Sequence, residues 1–316
     1  MNARRAESLV FTGIREAQVK TIDVPAPAAG ELRLKTLACG ICWREIHVFT
    51  GRLERSFPCV MGHEPVGIVD EVGPGVRGFK AGDRVTAIGQ ASLAEYCLVE
   101  DKYTAPISTN GEAANYLGEP VMCALAALRQ ANPRDGSLVV VNGVGFMGQL
   151  LMQALARRTK SQLVAVDINH AALARAAQFT GCETLTPAEL TPETLKRRFG
   201  RLADIVFEAS GVKGTIFPAT RCVRNGGKLC LFGHHFSVEP EAVNDWHLRG
   251  IAVLNTVPWG SPDLARDFRD AVEMLNAGEF DLQQFVSHQA PLADAISLMN
   301  VASTHSPGFI KGVINF

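Results

Sequence analysis

The sequence predicts an α/β protein of two domains, one β-rich and one built on a doubly wound parallel sheet. Three observations predict it. The 316 residues suffice for about two domains. Over the first 115 or so residues, glycines and prolines interrupt short apolar stretches about every ten positions, as in a small barrel. From about residue 120, buried-strand patterns alternate with helical ones, which implies a parallel sheet covered on both faces.

In order, Glu31 to Leu37 alternates polar and apolar residues, the period of a half-buried strand. Val66 to Val72 is a second strand and stops at the turn Gly73-Pro-Gly75; Gly82 to Ile88 begins a third. Val121 to Leu128 suits a buried helix. Strands are then expected at Ser137 to Val141, Leu163 to Val166, Asp204 to Glu208, Lys228 to Phe232 and Ile251 to Leu254. Helices fall between them at Met147 to Arg158, Ala171 to Phe179 and Thr215 to Val223. Two further helices, Asp263 to Leu275 and Leu292 to Val301, precede a closing strand, Phe309 to Phe316, that returns to the first domain. The expected domains are 1–120, completed by 256–316, and 121–255.

Composition excludes several classes. Hydrophobic residues make up 47% and charged residues 20%, as in a globular protein. The 31 basic and 32 acidic residues leave a net charge of −1, so no field gathers nucleic acid. The longest clean apolar run, Val121 to Leu128, is far too short for a membrane span. No apolar stretch follows Arg4-Arg5, so no signal peptide is expected; the eight cysteines read as thiols or metal ligands in a reducing cytoplasm.

Gly143-Val-Gly-Phe-Met-Gly148 matches the dinucleotide fingerprint in context: it follows a strand, opens a helix, and Asp167 ends the next strand 19 positions after Gly148. Gly143 permits a tight turn, Gly145 lets backbone approach a pyrophosphate, and Gly148 lets helix and strand pack closely. The helix start, Phe146 and Met147, offers free N–H groups to phosphates. Asp167 accepts from ribose hydroxyls and repels a 2′-phosphate, which favours NAD over NADP. Ile168, Asn169, Ser210 and Gly233 complete the expected cofactor-binding set.

A second constellation is Cys39-Gly-Ile-Cys42-Trp-Arg-Glu-Ile-His47 followed by Gly62-His63-Glu64. A zinc ribbon needs a second C-x-x-C pair, which the chain lacks, and a redox pair should open a helix of the α/β part. The cysteines are then either small buried fillers or metal ligands. Cys39, His63 and a carboxylate make three ligands of the zinc type with a fourth position open.

Together with Gly82-Asp-Arg-Val85, Val164 to Asn169 and Phe207-Glu-Ala-Ser-Gly211, these motifs resemble the zinc-dependent medium-chain dehydrogenase/reductase superfamily over residues 8 to 316. The resemblance implies a GroES-like β-barrel catalytic domain, a Rossmann domain and an active site between them. It implies Cys39 and His63 as zinc ligands, Glu119 as the third, Glu64 as an alternate ligand, and Cys123 as a nearby thiol. It also implies a homodimer or homotetramer acting on a small-molecule substrate.

Three departures stand out. The four-cysteine lobe of a structural zinc is missing between Val85 and Tyr96, with Cys97 alone nearby, so one catalytic zinc per chain is expected. Arg44 occupies the place of the usual Ser or Thr relay, five residues after Cys39. A guanidinium cannot relay a proton, so water or His47 carries it; Arg44 either anchors an anionic substrate group or enters a salt bridge. Glu45 replaces the Asp that orients the zinc-bound His. His234 and His235 lie near the expected nicotinamide position or are turn residues; Trp43, Phe49 and Trp259 line a substrate pocket or simply pack. The first functional reading is interconversion of an alcohol, polyol or hydroxy acid with its carbonyl compound, using NAD and zinc. The alternatives are an enoyl or acyl-CoA reductase of the same fold, motivated by Arg44, and a non-catalytic NAD sensor.

Overall fold

The computed structural model describes residues 3–108, 110–304, 306 and 308–316. The chain divides into two compact units, residues up to Met122 together with Ala265–Phe316, and Cys123–Leu264.

The first unit opens with β1 (Arg4–Gly13) and β2 (Glu16–Val24), an antiparallel hairpin. Next come β3 (Glu31–Ile41), helix α1 (Trp43–Phe49), β4 (Cys59–Val60) and β5 (Glu64–Val72). After these come β6 (Arg84–Ala87), β7 (Tyr96–Glu100), β8 (Thr104–Pro106) and helix α2 (Gly118–Ala131), whose first turn closes this part of the chain. The β1–β2 hairpin is absent from the sequence reading because β2 exposes nearly every side chain and so carries no apolar alternation.

The second unit runs β9 (Leu138–Asn142), α3 (Phe146–Arg158), β10 (Gln162–Val166), α4 (His170–Thr180), β11 (Glu183–Leu185), α5 (Pro192–Phe199) and β12 (Ala203–Glu208). It continues with α6 (Ile216–Cys222), β13 (Val223–Leu231), α7 (Pro240–Arg249) and β14 (Ala252–Asn255). The chain returns to the first unit with α8 (Leu264–Asn276), β15 (Val286–Pro291), α9 (Ala295–Ser303) and β16 (Lys311–Asn315).

In the second unit the sheet order is β11-β10-β9-β12-β13-β14, parallel throughout. This is the doubly wound order 3-2-1-4-5-6, with its switch point between β9 and β12. Central β9 is buried along its whole length, which is why its sequence is a continuous apolar run rather than an alternating one. The core gathers Leu138, Val140, Val164, Val166, Val206 and Leu229 from the sheet with Ile216 and Ala219 from α6. Helices α4, α5 and α7 each end on a left-handed glycine, Gly181, Gly200 and Gly250, the residue type that adopts a positive φ without penalty.

In the first unit the long β3 pairs with β5, β7 and β16, all antiparallel. The closing strand β16 lies between β15 and β3, so the last strand is built into the sheet that β3 anchors. One core cluster forms beneath β3, α1 and α9, with Phe11, Ile41, Phe49, Leu298 and Ile314; another lies at Leu32, Leu34, Val69, Val85 and Val99. No helix among the described residues is long and apolar enough to cross a membrane. None of the eight cysteines is in a disulfide.

Candidate functional site

Strand β3 ends at Ile41, and the chain leaves the sheet at Cys42, which caps α1 with extended backbone (φ −96°, ψ 162°). Glu45, three residues into the helix, reaches back: its Oε2 accepts from the Cys42 amide at 3.1 Å. This is half of a capping box and fixes the acid in place. The other oxygen, Oε1, meets His63 Nδ1 at 2.9 Å. Glu45 is fully buried, so this contact is dry. A partner at Nδ1 leaves Nε2 as the ligand atom of the imidazole. Nε2 lies 3.9 Å from Glu119 Oε1, carried on the first turn of α2. That turn is anchored where the Gly118 amide donates to Thr86 Oγ1 at 3.1 Å.

Cys42, His63 and Glu64 bring one ligand atom each within 4.8 Å of one another. A thiol, an imidazole and a carboxylate form a donor set of the zinc type, with Glu119 a second carboxylate at the same imidazole nitrogen. These residues fit a divalent ion. Burial opposes the imidazolium of His63, but the Glu45 charge and the bonds to Cys42 and Glu45 outweigh it and hold the ring well above its ordinary range.

The cysteine of this cluster is Cys42 and not Cys39, which corrects the sequence reading. Cys39 is fully buried in the apolar cluster of Leu9, Phe11, Ile46 and Ile314, and its Sγ lies 3.7 Å from the Gly40 carbonyl. Burial first, then the charges of Glu64 and Glu45, push its thiol well above the ordinary range. The C-x-x-C pair therefore splits. Cys39 is the small filler that stood as the alternative for both, while Cys42 lies just past the strand end beside the imidazole.

Glu64 is 1% exposed and is held at both oxygens by Lys311 Nζ, at 2.8 and 2.6 Å. Lys311 opens β16 and is itself 4% exposed. Burial would lower its pKa, but Glu64, Cys42 and Glu119 together raise it. Gly40 is required beneath this pair, since a Cβ there would come within 1.9 Å of Glu64 Oε2. Sequence reasoning missed Lys311, because its role is set by the pairing of β16 with β3. Arg44 is 43% exposed at the side chain, with Nε 3.6 Å from Glu45 Oε1. His47 is buried on α1, its ring 5.8 Å from that of Trp43. Phe49 packs in the core against Phe11, whereas Trp259 is exposed and Cys123 is buried on α2.

In the second unit the glycines of the fingerprint take three different roles. Gly143 turns the chain at φ 98°, and a Cβ there would come within 2.5 Å of the Ser210 amide. Gly145 caps α3 and has open space where a Cβ would stand, and no side chain caps that helix. At Gly148 a Cβ would lie 2.0 Å from the Gly143 carbonyl oxygen. Phe146 is buried and Met147 half-buried, so the helix start offers its amides rather than side chains. Asp167 follows β10; its Oδ2 accepts from the Val144 amide at 2.8 Å and its Oδ1 from the Asn169 amide at 2.9 Å. Asn169 in turn caps α4, and Ile168 between them is 81% exposed. An uncapped helix start beside an open glycine, with a carboxylate on the neighbouring strand end, fits a dinucleotide. Ser210 and Gly233 lie on the loops after β12 and β13; a Cβ at Gly233 would come within 2.6 Å of the Gly211 amide. His235 is bonded to Glu208, while His234 is exposed with its ring 4.6 Å from that of Phe236.

Residues 28–147 match the family model of the alcohol dehydrogenase GroES-like domain, and residues 147–277 that of zinc-binding dehydrogenase. An alcohol dehydrogenase of Moraxella sp. (strain TAE123) is 28% identical over 296 residues, 83% of this chain and 86% of its own length. A 2-dehydro-3-deoxy-L-galactonate 5-dehydrogenase of Pseudoalteromonas atlantica is 26% identical over 302 residues, 85% of this chain and 87% of its own. Among solved structures, L-idonate 5-dehydrogenase of Escherichia coli shares the fold, with a TM-score of 0.86 at 19% identity over 100% of both chains. Two domain models that adjoin along the chain, and relatives that match it over more than four fifths of its length, place the protein in the zinc-dependent medium-chain dehydrogenase/reductase superfamily.

Proposed function

We propose that the protein is an NAD-dependent dehydrogenase with one catalytic zinc per chain, interconverting an alcohol, polyol or hydroxy acid with its carbonyl compound. The observation that carries this reading is the cluster of Cys42, His63 and Glu64, with Glu119 beside the same imidazole. An ion bound there would supply Lewis acidity to a substrate oxygen, and a bound nicotinamide would supply the hydride chemistry. Cys42, His63 and Glu119 hold the ion, and Glu64 is the alternate ligand that Lys311 neutralises. Glu45 keeps Nε2 of His63 aimed at the ion by holding Nδ1. His47 carries the substrate proton outward, since the guanidinium of Arg44 cannot. Asp167 takes the adenosine ribose and disfavours a 2′-phosphate.

Arg44 stands two residues after Cys42, and its one recorded ion pair among the described residues, through Nε to Glu45, leaves the terminal fork to receive an anion. The Pseudoalteromonas relative is named for a sugar acid, which suits a substrate that carries a carboxylate. Replacing Arg44 by Ser should lower kcat/KM for hydroxy acids relative to neutral polyols; an unchanged ranking removes the anchor.

The protein acts as a homodimer or homotetramer in the cytoplasm. Strand β14 is an edge strand of the six-stranded sheet among the described residues, and Leu248 and Trp259 nearby in the chain are 70% and 71% exposed. Eight cysteines with no disulfide among them suit a reducing compartment. The deciding experiment is an NAD-reduction screen over alcohols, polyols and hydroxy acids, with and without a chelator, beside elemental analysis. Turnover that survives complete metal removal would refute the zinc reading, and activity confined to enoyl or acyl-CoA substrates would transfer the protein to the reductase class.

A further inference from the structure

Glu208 closes β12 at the carboxyl end of the parallel sheet and is fully buried. Its Oε1 accepts from Ser210 Oγ, from the Ser210 amide at 3.3 Å, from Thr215 Oγ1 at 2.9 Å and from Asn142 Nδ2 at 3.4 Å. Its Oε2 accepts from the Gly211 amide at 3.4 Å and pairs with His235 Nε2. These donors come from the end of β9, from the loop after β12 and from the loop after β13. One carboxylate thus ties together the carboxyl ends of three neighbouring strands, β9, β12 and β13, at the switch point. The loops are also in backbone contact, at Gly143 against Ser210 and at Gly233 against Gly211, so a shift in one is passed to the next.

His235 is the inward-facing member of an exposed stretch. Its side chain is 7% exposed, while His234 and residues 236–238 are exposed on either side. The next fixed point is Glu239, whose Oε2 accepts from the Phe217 amide at 3.2 Å. Burial would raise the pKa of the Glu208 carboxyl, but the bonds from His235 and Ser210 outweigh it and keep it charged.

In a sheet of this order the adenosine half of a dinucleotide lies over β9 to β11 and the nicotinamide half over β12 to β14. We infer that His235, held by Glu208, is a positioning residue that sets the loop after β13 for the nicotinamide half of the cofactor and leaves the adenosine half untouched. The inference rests on the proposed dinucleotide reading. It separates two halves of one ligand, so it is tested with two ligands.

The test is calorimetric titration of the metal-loaded protein with NADH and with 5′-AMP, for the parent, His235→Ala and His235→Gln. His235→Ala should weaken NADH by about tenfold, the loss of one charge-assisted hydrogen bond, and change AMP by less than about twofold. His235→Gln, whose amide can still donate to Glu208, should recover most of the NADH affinity, a rescue that loosening of the whole unit would not give. Equal losses for NADH and AMP, or no change in either, would overturn the positioning role. A parent that binds neither ligand would instead overturn the dinucleotide reading beneath it.

Discussion

Exchange of the two cysteines of the C-x-x-C pair separates ligand from filler. Replacing Cys42 by Ala removes the thiol of the cluster, whose ligand atoms lie within 4.8 Å of one another. A four-ligand structural zinc site is worth about 10–16 kcal/mol, so each ligand carries about 2.5–4 kcal/mol. At about 1.4 kcal/mol per factor of ten, losing Cys42 should weaken zinc about 10²- to 10³-fold. Cys39→Ala removes one sulfur from a fully buried apolar site, with the thiol bonded to nothing stronger than a carbonyl at 3.7 Å. That change should cost about 0.5–1.5 kcal/mol of stability, as for a buried methyl group, and leave zinc in place. The assay is zinc-to-protein ratio after dialysis against a graded chelator series, with AMP binding as a control for the second unit and urea unfolding as a control for stability. A variant at Cys39 that loses zinc, beside a variant at Cys42 that keeps it, would refute the assignment.

Three further outcomes follow from the second unit. Asp167→Ala should weaken NAD at least about tenfold, since a charged acceptor of the ribose is lost, and should raise the NADP-to-NAD ratio of kcat/KM; NAD binding equal to the parent's refutes the role. Gly148→Ala places a Cβ 2.0 Å from the Gly143 carbonyl, so α3 must retreat by more than an ångström. Overpacking of this kind costs about 1–3 kcal/mol, so the melting temperature should fall by several degrees and dinucleotide binding should be lost; an unchanged melt refutes the close packing. For Glu208 the sign is that of a depressed carboxyl: its stabilisation is complete above the unfolded value of about 4.3 and is lost as the pH falls through the lower folded value. The stability gap between the parent and Glu208→Gln, read by urea unfolding, should therefore be widest above about pH 5 and narrow toward pH 3, and a gap independent of pH would contradict it.

What the sequence made legible was local, and what it hid was set by distant pairing. Buried strand β9, the turn at Gly143 and the start of α3 lie within about a dozen consecutive residues, so their periodicity and glycines sufficed. The choice between Cys39 and Cys42 depended on where β3 ends and on which residues β16 sets beside it. Ile314, the partner of Cys39 in the sheet, is near the far end of the chain. A local signal did exist: an acid three positions after Cys42 is the pattern of a helix cap, and it places Cys42 at a helix entrance rather than inside a strand. No such signal marks Lys311. Glu64 is 1% exposed, and a carboxylate taken that far from water requires a cation, but the chain holds 31 lysines and arginines and spacing distinguishes none of them. The partner is named only when β16 is laid against β3, beside β5. Gly40 then ceases to be a spacer within C-x-x-C. It is the place on β3 where a side chain must be absent so that the Glu64 carboxylate can lie between Lys311 and the imidazole of His63.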